Sequence, residues 1–416
     1  MNDFCSFLKK DRDKRDIISI ISSIPSNYVG SKRRLLTHIW EILDENNVKF
    51  ESAFDAFSGS SMVSLLFKFM GKKVISNDLL TTSALTAVSL LENNCIPISD
   101  DDLHFLCDNE PDNYGSFVLD NYKDKFFTEN ECKFLDRYKK NIEILYNEKF
   151  YCGKKLNNES GNKDEFCSDK WEKVTKSNNA GMSANQDLMK YKTAFALFLI
   201  QTHINQPCFL GGRYYNGQTL AKMDHRINHA KNNGREIIDT PIGTERFKDV
   251  LCNGDATVFN SDIIELLESG KIKTDLIYLD PPYGGASSDY AFLYKFLEEY
   301  LYEDKLENLD HIKNGSKRFS KSKGYQAQFE HLLGLCGSFE TWMISYNESS
   351  YADLDTIVKT IKDAGRPNVV VKSIPITYQY RNNKNVVDID DFKQNYYEDG
   401  YKFLERGTEF LILARK

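Results

Sequence analysis

Short apolar runs bounded by small or polar residues recur along this chain, and their length and content predict buried strands. Ser52 to Phe57 and Lys73 to Ser76 are such runs early on, and Thr274 to Leu279, Glu340 to Tyr346, Val369 to Ile374 and Glu409 to Leu413 follow later. Lys248 to Cys252 reads as one more strand. Between them apolar residues recur at helical spacing: Met62 to Met70 carries Leu65, Leu66 and Phe69 at core positions. Thr81 to Leu91, Glu129 to Tyr146, Asp187 to His203 and Tyr351 to Ala364 are the other helical patterns, the last stopping near Gly365-Arg366-Pro367. Strands interleaved with helices predict an α/β fold with a largely parallel sheet.

Three of the predicted strand ends carry candidate chemistry, because ligands of open α/β sheets bind beyond the carboxyl ends of the strands. Asp280-Pro281-Pro282-Tyr283 follows the run that ends at Leu279. Consecutive prolines fix φ and restrict the residue before them, which holds the carbonyls of Asp280 and Pro281 in set directions. Such acceptors suit an exocyclic amino group, and the ring of Tyr283 suits the face of a planar, extrahelical base. An ordinary strand-to-loop turn with a solvated Asp is the competing reading. Upstream, Ser58-Gly59-Ser60-Ser61 turns tightly from a strand into the helix at Met62, an arrangement that offers backbone N–H groups to a nucleotide or amino-acid ligand. Asn77-Asp78 ends the next strand and places an acid suited to ribose hydroxyls. No G-x-G-x-x-G occurs here, which disfavours a nicotinamide dehydrogenase.

In this order the segments resemble the alpha group of adenine-specific DNA methyltransferases, the family that includes the bacterial Dam methylase. Tyr28-Val29-Gly30-Ser31-Lys32 is similar to the family's Tyr-x-Gly-x-Lys signature, and Asp55 to Ser61 to its Phe-x-Gly-x-Gly loop, with Ser61 standing where the second glycine would be. Asp280 to Tyr283 resembles the catalytic motif. The resemblance implies S-adenosylmethionine as cofactor, contacted by Tyr28, Gly30 and Lys32, by Asp55, Phe57, Ser58, Gly59, Ser60 and Ser61, and by Asp280. It also implies Asp78 at the ribose and Asp255 and Ala256, after the strand at Lys248 to Cys252, at the cofactor's adenine. The implied fold is a Rossmann-like class I methyltransferase sheet of seven strands with an inserted, mainly helical target-recognition domain. The implied division is an N-terminal extension at 1–27, catalytic parts at 28–94 and 246–416, and the insert at 95–245.

Composition narrows the setting. The formal net charge of −7 argues against general nucleic-acid coating, so a DNA groove has to be a local patch. Lys313, Lys317, Arg318, Lys321 and Lys323, just downstream of the catalytic motif, are the first candidates, and a solvated face is the alternative. Nine cysteines without a CxxC pair support neither a zinc site nor a disulfide framework, and no metal is expected. No apolar run reaches transmembrane length and the first residues are too charged for a signal peptide, so a cytoplasmic protein is expected.

Within the insert a polar stretch from Gly153 to Asn185 has loop character, and Gln206 to Gly217 is dense in Gly, aromatics and amides. Arg213, Tyr214 and Asn216 are candidates for DNA contact, and a turn stitching the insert to the core is an equal alternative. Pro207-Cys208 invites comparison with enzymes that methylate carbon 5 of cytosine by thiolate attack, chemistry that does not use the Asp-Pro-Pro-Tyr motif. The expected reaction is methyl transfer to the 6-amino group of adenine in duplex DNA, with a cognate restriction endonuclease as a candidate partner. Methylation of the 4-amino group of cytosine, methylation of RNA adenine, and a non-catalytic DNA-binding protein on the same fold are the alternatives.

Overall fold

The computed structural model describes residues 13–25, 28, 30–94, 98–146, 184–205, 236–239, 241–247, 249–251, 254–282, 290–320, 324–348, 350, 352–377 and 406–416. Its strands are β1 Ser52–Asp55, β2 Lys73–Asp78, β3 Ala256–Asn260, β4 Leu276–Leu279, β5 Thr341–Asn347, β6 Asn368–Thr377 and β7 Arg406–Arg415. They form one seven-stranded sheet in the order β3-β2-β1-β4-β5-β7-β6. β1 through β5 pair in parallel, and β7 runs antiparallel between β5 and β6. The order reverses between β1 and β4, the switch point at which such sheets bind ligands.

The α-helices among the described residues are α1 Lys14–Ser23, α2 Leu36–Glu45, α3 Met62–Phe69, α4 Thr81–Ala87, α5 Asp100–Asp108, α6 Phe117–Tyr122, α7 Glu129–Tyr146 and α8 Ala184–Asn205. After β3 come α9 Ile263–Glu268, α10 Tyr290–Leu293, α11 Lys295–Tyr302, α12 Asp310–Ser320, α13 Tyr325–Leu335 and α14 Leu354–Asp363. None of them is long and apolar enough to cross a membrane.

Why the central strands read as unbroken apolar runs is clear from their two faces. Ala53, Leu276, Tyr278, Met343, Leu411 and Leu413 enter the core on one side of the sheet. Their neighbours Phe54, Ile277, Leu279, Trp342, Ile344, Ile412 and Ala414 enter the core on the other. Alternate side chains of a strand point to opposite faces, so burial on both leaves no room for a polar position.

The described helices of the expected insert, α5 to α8, contribute to the same buried cluster as α1 to α4. A buried ion pair fixes that packing: Lys190 Nζ on α8 lies 3.0 Å from Glu92 Oε2, whose Oε1 accepts from the Val258 N–H of β3 at 2.7 Å. Ile17 and Ile21 of α1, in the expected N-terminal extension, are buried in this cluster too.

One strand assignment is corrected. Lys248 to Cys252 was expected to be extended; Lys248 and Cys252 lie outside the described residues, 249–250 form a turn, and the strand is Ala256–Asn260. Val250 and Leu251 are buried because they pack against the cluster from a loop, so apolar content there reflects burial and not strand pairing.

Candidate active site

A cavity opens at the carboxyl ends of β1 to β4. Asp55 to Ser60 and Asn77 to Leu80 form one wall, Ser261, Asp262 and Ile263 a second, and Tyr278, Asp280 and Pro282 the floor near β4. Tyr28, Gly30, Ser31 and Lys32 come in from the N-terminal segment, while Tyr290, Ala291, Gly315, Ser316 and Phe319 close over it from α10 and α12.

The loop after β1 is held by its neighbours. Asp78 Oδ2 accepts from the Gly59 N–H at 2.8 Å and Oδ1 from the Leu80 N–H at 2.9 Å, so this carboxylate ties the ends of β1 and β2 together. Asn77 staples a third end: its amide donates to Ala56 O and Ser261 O and accepts from the Ser261 N–H. Ser31 Oγ and Ser60 Oγ are 2.9 Å apart, joining the N-terminal segment to the loop. Gly59 has φ +48°, and a Cβ there would stand 2.7 Å from the Tyr28 ring, so only glycine fits.

Ser61, the departure from the glycine pattern, adopts φ 61° and ψ 16°, the left-handed conformation a glycine would take most readily. The backbone turn is therefore kept despite the substitution. Ser61 does not itself line the cavity; it is fully buried, and its hydroxyl has no hydrogen-bond partner among the described residues.

Lys32 and Asp280 form the central contact. Lys32 Nζ is 2.9 Å from Asp280 Oδ2, both side chains are nearly buried, and Nζ also donates to Gly30 O at 3.0 Å. Burial opposes the charge on Lys32, yet the charges of Asp280 and Glu409, with Tyr290, together outweigh it and hold the ammonium above its usual range. Burial raises Asp55 to about 7, against a hydrogen bond from Ser64 and with the nearby Asp280 and Asp78 charges adding to the rise. Burial likewise lifts Asp78 to about 6, opposed by the backbone donors of Leu80 and Gly59. Asp55 Oδ2 accepts from Ser64 Oγ at 2.6 Å, while Oδ1 and the Ser58 hydroxyl are buried and have no side-chain hydrogen-bond partner among the described residues.

Tyr28 stacks almost parallel on Tyr290 and Tyr294, at 5.8 and 4.8 Å between ring centroids. The cavity therefore brings together Tyr28, Gly30, Lys32, Asp55, Phe57, Ser58, Gly59, Ser60, Asp78, Asp280 and Pro282, all singled out in the sequence. Pro281 is buried beside them. Tyr283, Arg213, Tyr214, Asn216 and Lys321 lie outside the described residues. Lys317 is exposed on α12, and Arg318 beside it pairs with Asp262.

Asp255 and Ala256 are corrected. They stand at the amino end of β3, away from the cavity at the carboxyl ends, and Asp255 is exposed and 3.3 Å from Lys73 Nζ. The error follows from the misplaced strand: the acid that ends β3 is Asp262, which lines the cavity and caps α9 through Ile264 N–H. The pattern Thr257-Val258-Phe259 followed by Ser261-Asp262 and an apolar helix was the available signal. Tyr290 and Gly315 had no comparable signal, since their place depends on how α10 and α12 fold back over the sheet. Tyr346 and Asn347 at the end of β5 are buried and bond to Ala352 and Glu409.

Over residues 28–357 the sequence matches the family described as D12 class N6 adenine-specific DNA methyltransferase. It is 26% identical over 369 residues to the type II methyltransferase M2.HphI of Haemophilus parahaemolyticus, covering 86% of this chain and 93% of that protein. It is 25% identical over 354 residues to the type II methyltransferase M.FokI of Planomicrobium okeanokoites, covering 82% of this chain and 47% of that protein. A match over most of the chain, on a sheet whose switch point holds the loop after β1, Asp78 and Asp280 in one cavity, makes this protein a member of the D12 class N6 adenine-specific DNA methyltransferases.

Proposed function

We propose that the cavity binds S-adenosylmethionine and that the chain methylates the 6-amino group of an adenine turned out of duplex DNA at a short, defined sequence. The observation that carries this reading is the Lys32–Asp280 pair inside the cavity that also holds Asp55, the Gly59 turn and Asp78. The donor set suits the cofactor: Asp55 Oδ1 and Ser58 Oγ, buried at the cavity, have no hydrogen-bond partner among the described residues, and a carboxylate such as Asp78 retains acceptor sites for ribose hydroxyls. Asp262 and Phe319 are placed for the adenine end. The cofactor, when bound, supplies an electrophilic methyl group on a sulfonium.

Everything else falls to the chain's own residues. The adenine amino nitrogen is a poor nucleophile because its lone pair is delocalised into the ring. Asp280, held by Lys32, and the Pro281 carbonyl accept its hydrogen bonds and favour a localised lone pair. Tyr283 stacks on the base. Proximity and these fixed acceptors lower the barrier, so Asp280 need not be a strong base.

Base readout falls to the insert, with Arg213, Tyr214 and Asn216 as its candidates, and Lys317 and Lys321 serve as phosphate contacts. M2.HphI and M.FokI are both type II methyltransferases, which supports a cognate restriction endonuclease as partner. Mass spectrometry of DNA incubated with the protein and S-adenosylmethionine should show 6-methyladenine at one short site. Methylcytosine, or modification of RNA alone, would overturn the assignment.

A further inference from the structure

We propose that Arg318 is a positioning residue for the cofactor, and not the DNA phosphate contact its charge suggests. The inference rests on the reading of the cavity as the S-adenosylmethionine site. Gly315, Ser316 and Phe319 of α12 line that cavity, so this helix forms part of its cover. It sits very close: a Cβ on Gly315 would stand 2.7 Å from Leu79 Cδ1 and 3.1 Å from Asp262 Oδ2. Leu79 belongs to the loop after β2 and Asp262 to the turn after β3, so α12 spans the two walls that flank the adenosine end.

Arg318 fixes the last turn of that cover. Its Nε donates to Asp262 Oδ2 at 2.7 Å, and Asp262 Oδ1 accepts from the Ile264 N–H at 2.9 Å. Both oxygens of a cavity-lining carboxylate are thereby oriented, one by α12 and one by the helix it caps. Glu265, at 3.7 Å from the guanidinium, adds a second acid on the same side. A guanidinium bonded to one carboxylate and flanked by another is neutralised for phosphate binding.

The other end of α12 is tied to the same loop by a relay. His311 Nε2 is 3.1 Å from Tyr302 Oη, which is 2.8 Å from Thr81 Oγ1. Thr81 Oγ1 donates to Asn260 Oδ1, and Asn260 Nδ2 donates to Asp78 O and Leu79 O. The Phe319 ring meets Phe57 edge-on at 5.7 Å, which seats the cover on the loop after β1. The cover is thus anchored at both ends, and Arg318 is the charged anchor.

Calorimetric titration of S-adenosylmethionine into the full chain tests this, alongside DNA binding measured across a salt series. Arg318→Ala should raise the cofactor Kd about three- to fivefold, the scale of a partly exposed charge pair, and Arg318→Lys should restore part of the loss. Gly315→Ala should weaken cofactor binding as well, by lifting the cover off Leu79. DNA affinity and its slope against salt should match the parent for Arg318→Ala. An unchanged cofactor Kd with a salt slope shallower by about one would make Arg318 a phosphate contact and overturn the inference. Unchanged binding of both ligands would reduce the pair to a surface contact and overturn it too. Asp78→Asn separates the two levels: if it weakens cofactor binding and Arg318→Ala does not, only the role of Arg318 falls. If the parent binds no S-adenosylmethionine, the reading of the cavity falls and this inference with it.

Discussion

Lys32 Nζ and Asp280 Oδ2 meet at 2.9 Å, so the N-terminal motif and the catalytic motif are one electrostatic unit. Sequence order alone gives Lys32 a contact with the cofactor and Asp280 a contact with the target amine. Their pairing adds that Asp280 helps hold the ammonium of Lys32 above its usual range in a nearly water-free place.

Lys32→Met should therefore lower stability and turnover together. Leaving a buried carboxylate without its partner costs about 3 kcal/mol, readable by urea denaturation. Turnover should fall by roughly 10²-fold as the acceptor loses its fixed position. A variant with parental turnover would remove Lys32 from the reaction.

The raised carboxyls predict opposite pH trends for the free and the loaded protein. Asp55 at about 7 and Asp78 at about 6 bind protons more tightly folded than at the ordinary value of 3.8. Their contribution to stability is full below about pH 4 and is lost as pH rises through 6 to 7. Glu298, buried and raised to about 7 while capping α4 at Thr81 and Thr82, adds in the same direction. A cationic sulfonium ligand favours the ionised carboxylates, so S-adenosylmethionine affinity should rise over the same window in which the unliganded protein loses stability. Calorimetry at pH 5.5 and 7.5 checks it, and affinity that falls with pH would contradict the charge argument.

Ser61→Gly should stabilise the chain by about 1 kcal/mol. The left-handed conformation disfavours a residue with a Cβ by about 1–2 kcal/mol, partly offset by the greater freedom of unfolded glycine. Removing a buried hydroxyl without a partner works the same way. Thermal or urea denaturation measures the change, and a loss of stability would show that the hydroxyl contributes more than the geometry suggests.

Most of the sheet was legible because strands buried on both faces leave apolar runs, as Leu276–Leu279 does, although Val369 to Ile374, read as buried, is the edge strand β6 with Val370 and Val371 exposed. The loop after β1, Asp78 and Asp280 were legible for a related reason: each follows such a run directly. What failed was Asp255, where the buried loop residues Val250 and Leu251 imitated a strand and moved the expected acid to the wrong end of β3. The covering helices were not legible, since the contact of Gly315 with Leu79 depends on tertiary path and leaves no local period.

That correction yields a paired test. Asp255→Asn should leave cofactor affinity at the parental value, because the side chain is exposed and pairs with Lys73 at the amino end of β3. Asp262→Asn should weaken it about threefold or more, with its α9 cap preserved by the amide oxygen. The reverse ranking in a cofactor titration would return Asp255 to the site.

The position of β7 has a consequence for how the chain is made. It is the latest strand in the sequence, yet it lies inside the sheet, hydrogen-bonded to β5 on one side and β6 on the other. A nascent chain that has emerged only through β6 carries two open sheet edges with nothing to separate them. Ribosome-bound intermediates are thus exposed to mispairing until residues 406–415 arrive to join β5 to β6.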